Sequence, residues 1–239
     1  MKKIFILTVF SFITLTTSFA QLQIGPKVGG TLFRAALSDV ASDVYTTSFI
    51  PGFTAGVGLE YSFGGRFSLA VDGLYTQKGS FYQSKVPVNL TAEGLPAANF
   101  QEFEDKLNYL NFPVLVKYYL RGKDFGINLQ AGIELGFLMN ASQGKAKLTD
   151  PNDATKFWEG AKLDYNIGDG PFDRYLGSDF GLVLGAGFFY ELETGRIIAD
   201  LRYHHGTSNV VNATLESEEI SNRGVSFTIG YMFALGGGF

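Results

Sequence analysis

The sequence predicts an all-β fold: a transmembrane, antiparallel, up-and-down β-barrel of eight strands that follows a signal peptide. Apolar and polar residues alternate over many short stretches, which is the period of a strand with two unlike faces. The chain of 239 residues is rich in Gly (30), Phe (23) and Tyr (12). Its apolar runs are shorter than the roughly 20 residues that a membrane-spanning helix needs. Tight and long connections alternate along the chain, as they do in outer-membrane barrels.

The first twenty residues have the features of a secretory signal peptide. A basic start, Met1-Lys2-Lys3, precedes an apolar stretch that ends in a small-x-small site. We expect Sec-type export with cleavage between Ala20 and Gln21, so that residues 1–20 are the signal peptide and residues 21–239 are the barrel domain. The chain has no Cys, which excludes a lipidated N-terminus and a disulfide framework.

The alternation is clearest in two stretches. Odd positions are apolar throughout Val225–Phe233 and Phe125–Phe137, while even positions are mostly polar residues or Gly. The other six predicted strands lie near 23–33, 53–63, 67–72, 109–118, 180–191 and 197–204. A soluble β-sandwich would also alternate, but here Phe and Tyr gather near strand ends, as in the aromatic girdles of membrane barrels. The pattern therefore predicts a lipid-facing exterior and a polar lumen.

The connections between predicted strands support the same topology. Three are tight and lie at 64–65, 121–124 and 193–195, whereas four are long and lie near 35–48, 80–106, 141–178 and 207–221. This order predicts short periplasmic turns and long external loops. The third long connection contains a candidate hairpin, Lys156–Trp158 against Lys162–Asp164, so ten strands are the alternative to eight. An even count leaves both termini in the periplasm in either case.

Several blocks of the sequence resemble a known family. These are Gly25–Gly30, Tyr109–Tyr118, Asp179–Gly187, Arg202–Val210 and Asn222–Phe233. The second is similar to the Tyr-Leu-x-Ile-Pro-Leu-Leu-x-Lys block of the small outer-membrane barrels labelled porin-family or PorT-family proteins, with Phe in the usual Ile place. The fourth has Thr where Leu is typical. The resemblance covers the mature chain and implies the barrel domain. It implies no catalytic residues, and one branch of the family assists protein secretion.

Charged residues are expected in the lumen, where an eight-strand barrel is only wide enough for side chains to fill it. Because an unpaired buried charge is very costly, these residues must be paired or hydrated. We expect a salt-bridged plug, with a proton or ion path as the alternative. Inward glycines at positions 56, 58, 181, 185 and 187 would leave room for long neighbouring side chains. The predicted lumen charge network comprises Lys27, Glu60, Asp72, Lys117, Glu134, Glu191, Asp200 and Arg202, joined by His204.

The sequence offers little for catalysis or cofactor binding. With two His and no Cys, a transition-metal site is not expected, and we predict no cofactor and no catalytic residues. His205, Ser208 and Glu216 could be assembled into a triad, but their spacing does not favour one. A lipid A-modifying enzyme is therefore disfavoured. The predicted role is structural, adhesive or accessory, and the alternatives are a narrow pore for small solutes or ions and an accessory to protein secretion.

The expected partners follow from this location. They are outer-membrane lipid and lipopolysaccharide, and the barrel assembly machinery, which would read a terminal aromatic residue, either Phe233 or Phe239. An extracellular or secretion partner remains unspecified by the sequence. Nucleic acid is not expected, because the formal net charge is −4 and no basic block occurs.

Overall fold

The computed structural model describes residues 22–63, 65–87, 100–121, 125–168, 170, 173–212 and 219–235. The predicted signal peptide, its cleavage site at Ala20 and Gln21, and Phe239 lie outside these residues and stay predictions. The elements in chain order are β1 (Leu22–Leu37), α1 (Asp39–Val44), β2 (Tyr45–Ser48), β3 (Ile50–Ser62), β4 (Phe67–Ser84), β5 (Phe100–Arg121), β6 (Phe125–Gln143), β7 (Lys147–Asp150), β8 (Asp153–Glu159), β9 (Leu163–Tyr165), β10 (Ser178–Leu192), β11 (Gly195–Gly206) and β12 (Ile220–Ala234).

Eight long strands close into a ring. Their order is β1, β3, β4, β5, β6, β10, β11 and β12, and β12 pairs again with β1. Every neighbouring pair is antiparallel, and the closing pair runs from Gln23 opposite Ala234 to Leu37 opposite Ile220. Closure gives the backbone groups of every ring strand a partner on both sides, which a structure surrounded by lipid requires. The predicted eight-strand barrel is confirmed, and the ten-strand alternative is wrong.

The long connections differ from their predicted extents. β4 continues to Ser84 and β5 begins at Phe100, so much of the second predicted loop is strand. The third connection contains β7, β8 and β9, but β8 pairs with β7, and β9 pairs with β6. The hairpin predicted between Lys156–Trp158 and Lys162–Asp164 is therefore wrong. Sequence alternation locates a strand but does not identify its partner when several candidates are close along the chain.

The outer wall carries apolar side chains bounded by two aromatic zones. Near the short turns, Phe67 and Tyr118 pack with ring centroids 5.1 Å apart. Near the long connections, Phe53 and Tyr75 pack at 5.4 Å. Tyr61 and Phe53 are eight positions apart on β3. At about 3.3 Å per residue and a tilt of about 40°, that distance spans about 20 Å, close to the thickness of a barrel's lipid-facing band.

Three strands extend well beyond this band. β4, β5 and β6 have 18, 22 and 19 residues, whereas a tilted span needs about 9–11. Their extra length lies on the side of the long connections, the external side. There β2 pairs with β4, and β7 pairs with β5 and carries β8 as an edge strand. Among the described residues, no helix has the length and apolar character that a transmembrane helix requires.

A register shift marks the transition to the external part. Asn108 pairs with Asn140 and the next residue, Tyr109, pairs with Leu138, so Met139 is skipped. Such a bulge switches which residues of the bulged strand point inward. On β6 the inward residues are even-numbered up to Leu138, whereas beyond the bulge Asn140 is exposed and Ala141, the most deeply buried residue there, is followed by buried Ser142 and Gln143.

Candidate functional site: the barrel lumen and its external cap

The middle of the lumen is filled by a network of buried ion pairs. Lys27 Nζ lies 2.9 Å from Asp72 Oδ1 and 3.3 Å from Asp200 Oδ2. The guanidinium of Arg202 bridges the same two carboxylates, at 2.6 Å from Asp72 and 3.0 Å from Asp200. Gln130 donates to Asp200 and accepts from Arg202. Each cation thus faces two acids, an arrangement that offsets the cost of removing the charges from water.

The end nearest the short turns is organised around Glu60. Its carboxylate lies 3.1 Å from Lys117 Nζ and 2.7 Å from an Arg196 guanidinium nitrogen. Ser68 and Tyr119 both donate hydroxyl hydrogen bonds to Glu60 Oε1, at 2.7 and 2.5 Å. Lys117 also lies 3.9 Å from Asp200, which links this group to the middle network. We call these residues together the central cluster: Lys27, Glu60, Asp72, Lys117, Arg196, Asp200 and Arg202.

A second group of charges lies nearer the external side. Lys78 Nζ is 2.9 Å from Glu134 and 3.0 Å from Asp179. His204 Nδ1 is 3.0 Å from the other oxygen of Glu134, and Asn222 donates to Asp179 at 2.9 Å. We call Lys78, Glu134, Asp179 and His204 the upper cluster. The formal charges of the two clusters cancel, because the central cluster has one excess cation and the upper cluster, with His204 counted as neutral, has one excess anion.

The structure places all eight residues of the predicted charge network inside the barrel, and it brings seven of them into ion pairs. Glu191 is the exception. Its two carboxylate oxygens are buried and make no hydrogen bond with the described residues. Its neighbour across β10 and β11 is Arg196, whose Nε and Nη1 also have no hydrogen-bond partner there.

Sequence reasoning missed three charged participants: Lys78, Asp179 and Arg196. Lys78 follows the predicted end of β4 but continues the inward parity of Asp72, which would have identified it. Arg196 has the parity of Asp200 and was missed because β11 was started one residue later. Asp179 was assigned to the polar face of its strand but not to the network. For Lys78 and Arg196 the missing information was the length of the strand.

Inward glycines make room for this network. A Cβ on Gly187 would lie 2.4 Å from Asp200 Oδ1 and 2.5 Å from Asn128 Nδ2. A Cβ on Gly58 would lie 2.6 Å from Asp72 and 2.7 Å from Lys27. Any other residue would displace the charged side chains, because packed interiors tolerate no such overlap.

Above the upper cluster the interior becomes apolar. A group of buried residues from the external ends of the strands and from the connections around 175 and 210 fills this part. Tyr82 and Phe103 stack with centroids 4.8 Å apart. We call this group the external cap: Ala35, Tyr82, Phe103, Leu107, Tyr109, Leu138, Ala141, Ala146, Tyr175, Val210, Val211 and Ile220.

Two contacts connect the cap to its surroundings. Lys78 Nζ lies 4.8 Å from the centroid of the Tyr109 ring, which joins the cap to the upper cluster. Tyr175 donates a 2.5 Å hydrogen bond to Asp105 Oδ2. Burial, followed by the neighbouring Asp105 carboxylate, raises the pKa of Tyr175 well above its ordinary value. The phenol therefore remains a hydrogen-bond donor at physiological pH.

The two described residues of the triad considered above, His205 and Ser208, make contacts other than those of a catalytic triad. Ser208 Oγ donates to Asp179 Oδ1 at 3.1 Å and accepts from the Phe180 amide at 2.8 Å. His205 points outward, with Nδ1 3.5 Å from the Tyr203 hydroxyl. Glu216 lies outside the described residues. Within the part of the chain that the structure describes, no group of His, Asp and Glu has the arrangement of a metal site.

Comparison with solved structures finds three that are similar to this chain at low identity. Neisserial surface protein A is 13% identical, with 88% of this chain and 96% of that chain covered and a TM-score of 0.43. The attachment invasion locus protein Ail of Yersinia pestis is 14% identical, with 88% and 98% covered and a TM-score of 0.35. The outer membrane protein OprG from Pseudomonas aeruginosa is 14% identical, with 90% and 96% covered and a TM-score of 0.43.

At 13–14% identity, these structures do not assign a role to any residue of this chain. No curated protein matches the sequence significantly. The model of the outer membrane protein beta-barrel domain matches residues 19–212, which is most of the chain. Together with the closed eight-strand ring and its apolar outer wall, this match shows that the protein resides in the outer membrane and belongs to the outer membrane protein beta-barrel domain family.

Proposed function

We propose that the protein is a closed, non-enzymatic outer-membrane anchor that holds an external β-sheet for contact with a partner. The observation that carries this proposal is the filling of the lumen. Side chains of the central cluster are at most 1% exposed, and those of the upper cluster at most 7%. A conducting path would have to separate these ion pairs, each of which lies in a poorly hydrated interior.

The narrow-pore alternative is tested by electrical recording. Protein whose folding has been verified by heat-modifiable gel migration is reconstituted into planar bilayers under a transmembrane voltage. We expect no discrete conductance steps. Reproducible steps from the folded protein would overturn the closed-lumen proposal. The double variant Lys27→Ser, Asp72→Ser serves as the comparison, because it removes one cation and one anion at constant net charge and leaves space in the middle of the lumen.

The external sheet supports the anchoring part of the proposal. It continues β4 and β5 beyond the lipid band and ends in two edge strands, β2 and β8. β8 is largely exposed and includes Phe157, a residue that is 55% accessible. An exposed strand edge offers unpaired backbone groups to another chain.

Crosslinking in native outer membranes distinguishes an external partner from a secretion accessory. A photo-reactive residue is placed at Thr155 on β8, and a matched one at Glu193 in a short periplasmic turn. We expect protein adducts from position 155 and none from position 193. Adducts from position 193 alone would favour a periplasmic or secretion partner and contradict the external one.

The hydrogen bonds of Ser208 support the non-enzymatic role, because its hydroxyl proton is already donated to Asp179. If the protein nevertheless modified lipid A, the acylation pattern of lipid A would change on expression and revert in His205→Ala or Ser208→Ala. An unchanged pattern is the expected result.

A further inference from the structure

Three basic side chains lie side by side on the outer wall, on strands β1, β12 and β11. Arg34 pairs across the sheet with Arg223, and Arg223 pairs with His205. All three belong to the outward-facing set of their strands, as their parity with the exposed residues of each strand shows. We call Arg34, Arg223 and His205 the basic row.

The basic row lies directly beyond the lipid-facing band. The next outward residues toward the lipid-facing band on the same strands are Leu32, Val225 and Tyr203, all of them exposed. Two residues along a strand advance it by about 6–7 Å. The row is on the external side, so it lies at the level where the headgroups of the outer leaflet begin.

Neither guanidinium of the row has an acidic partner among the described residues. Arg223 Nε is buried and makes no hydrogen bond with them, and Arg34 lies over the Phe49 ring at 5.3 Å. Beside them is a cleft of about 340 Å³, which Lys85 also lines. Among the residues that the structure describes, no acidic one lines this cleft, and the neighbouring cleft beside His205 has Glu219 in its lining.

We propose that this cleft binds a phosphate group of an outer-leaflet glycolipid. Two guanidinium groups and one ammonium suit a phosphate monoester, because arginine donates paired hydrogen bonds to phosphate oxygens. A lipid whose phosphate contacts Arg34 and Arg223 has its acyl chains along the exposed apolar residues just below, Leu32 and Val225. Free phosphate gains nothing from that apolar surface. The inference stands on the outer wall alone and does not depend on whether the lumen conducts.

The test measures lipid binding by the folded, full-length mature protein in detergent, using native mass spectrometry. The probes are bisphosphorylated lipid A and the same lipid with both phosphates removed. We expect the wild type to prefer the phosphorylated form by about tenfold, the effect of one or two charge-assisted contacts. The double variant Arg34→Gln, Arg223→Gln is expected to lose that preference while keeping heat-modifiable migration.

A matched control variant is Lys147→Gln, Lys156→Gln, which removes the same charge from exposed positions on β7 and β8. It is expected to keep the wild-type preference. The proposal is overturned if the control loses the preference to the same extent, if the arginine variant keeps it, or if wild type binds both lipids equally. Complete displacement of the lipid by millimolar inorganic phosphate would instead identify a free-phosphate site and also overturn it.

Discussion

The barrel buries two different kinds of interior with the same set of strands. Within the lipid-facing band, the lumen is charged and the exterior is apolar. Beyond the band, β4, β5 and β6 continue, but their interior is the aromatic and aliphatic external cap. The medium around the barrel explains why apolar residues face outward in one region and inward in the other. Where the exterior faces lipid, the apolar residues face outward, and where it faces water, apolar residues gain by turning inward.

The difference has an energetic consequence. In the central and upper clusters, each charged group is compensated by specific partners, so the removal of one partner leaves the others buried with fewer ion pairs. In the cap, stability comes from apolar area and a few hydrogen bonds, so single changes act locally. The lumen is therefore expected to be the more sensitive of the two regions.

The largest expected effect is that of Asp200→Ala. This change leaves Lys27 and Arg202 each with one acid fewer and removes the contact of Asp200 with Lys117. We expect a loss of about 3–5 kcal/mol in the free energy of unfolding. Urea unfolding in micelles, followed by the loss of heat-modifiable migration, measures it. Asp164→Ala, at an exposed acid on β9, is the control and should leave the midpoint unchanged; equal losses would contradict the lumen network's role.

An intermediate effect is expected for Gly187→Ala. The added Cβ would lie 2.4 Å from Asp200 Oδ1 and displace the carboxylate from its partners. Overpacking of this kind costs about 1–3 kcal/mol. Gly30→Ala, where the nearest atom to the new Cβ is 3.8 Å away, should be neutral in the same urea assay. If both variants behaved alike, the claim that the lumen glycines make room for charge would be wrong.

The smallest and most local effect is expected in the cap, for Tyr175→Phe. Loss of the hydrogen bond to Asp105 should destabilise the cap by about 1–2 kcal/mol, seen as faster proteolysis of the external connections while the lipid-embedded strands stay intact. The raised pKa of Tyr175 sets the pH dependence. The stabilisation is complete below the phenol's unfolded pKa of about 10 and is lost as pH rises through the higher folded value.

The stability of the cap should therefore differ between the wild type and Tyr175→Phe by a constant amount from pH 6 to 9. This difference should shrink above about pH 10. A difference that already disappeared near neutral pH would show that Tyr175 does not act through its hydroxyl. Global unfolding of the barrel in Tyr175→Phe would erase the distinction between the two regions.

The regions also differ in how well the sequence predicted them. Alternation in the lipid-facing band assigned Lys27, Asp72 and Asp200 to the interior, because the two faces of each strand differ strongly in polarity there. The external part was predicted as loop, since beyond the band the two faces no longer contrast so clearly. The bulge in β6, opposite Asn108 and Tyr109 of β5, changes which residues of β6 point inward. No local sequence pattern predicts it.

The amino-acid sequence by itself determined the strand period, the lipid-facing residues, the barrel class and the inward direction of its charges, whereas the choice of eight strands over ten came from the structure. These follow from the two-residue repeat of a strand between lipid and lumen. The tertiary structure alone decided which charges pair, because Lys27 meets Asp72 and Asp200 only when distant strands close into a ring. It likewise decided the partners of β7, β8 and β9, the external cap, and the meeting of Arg34 with Arg223, since these depend on contacts across the sheet rather than along the chain.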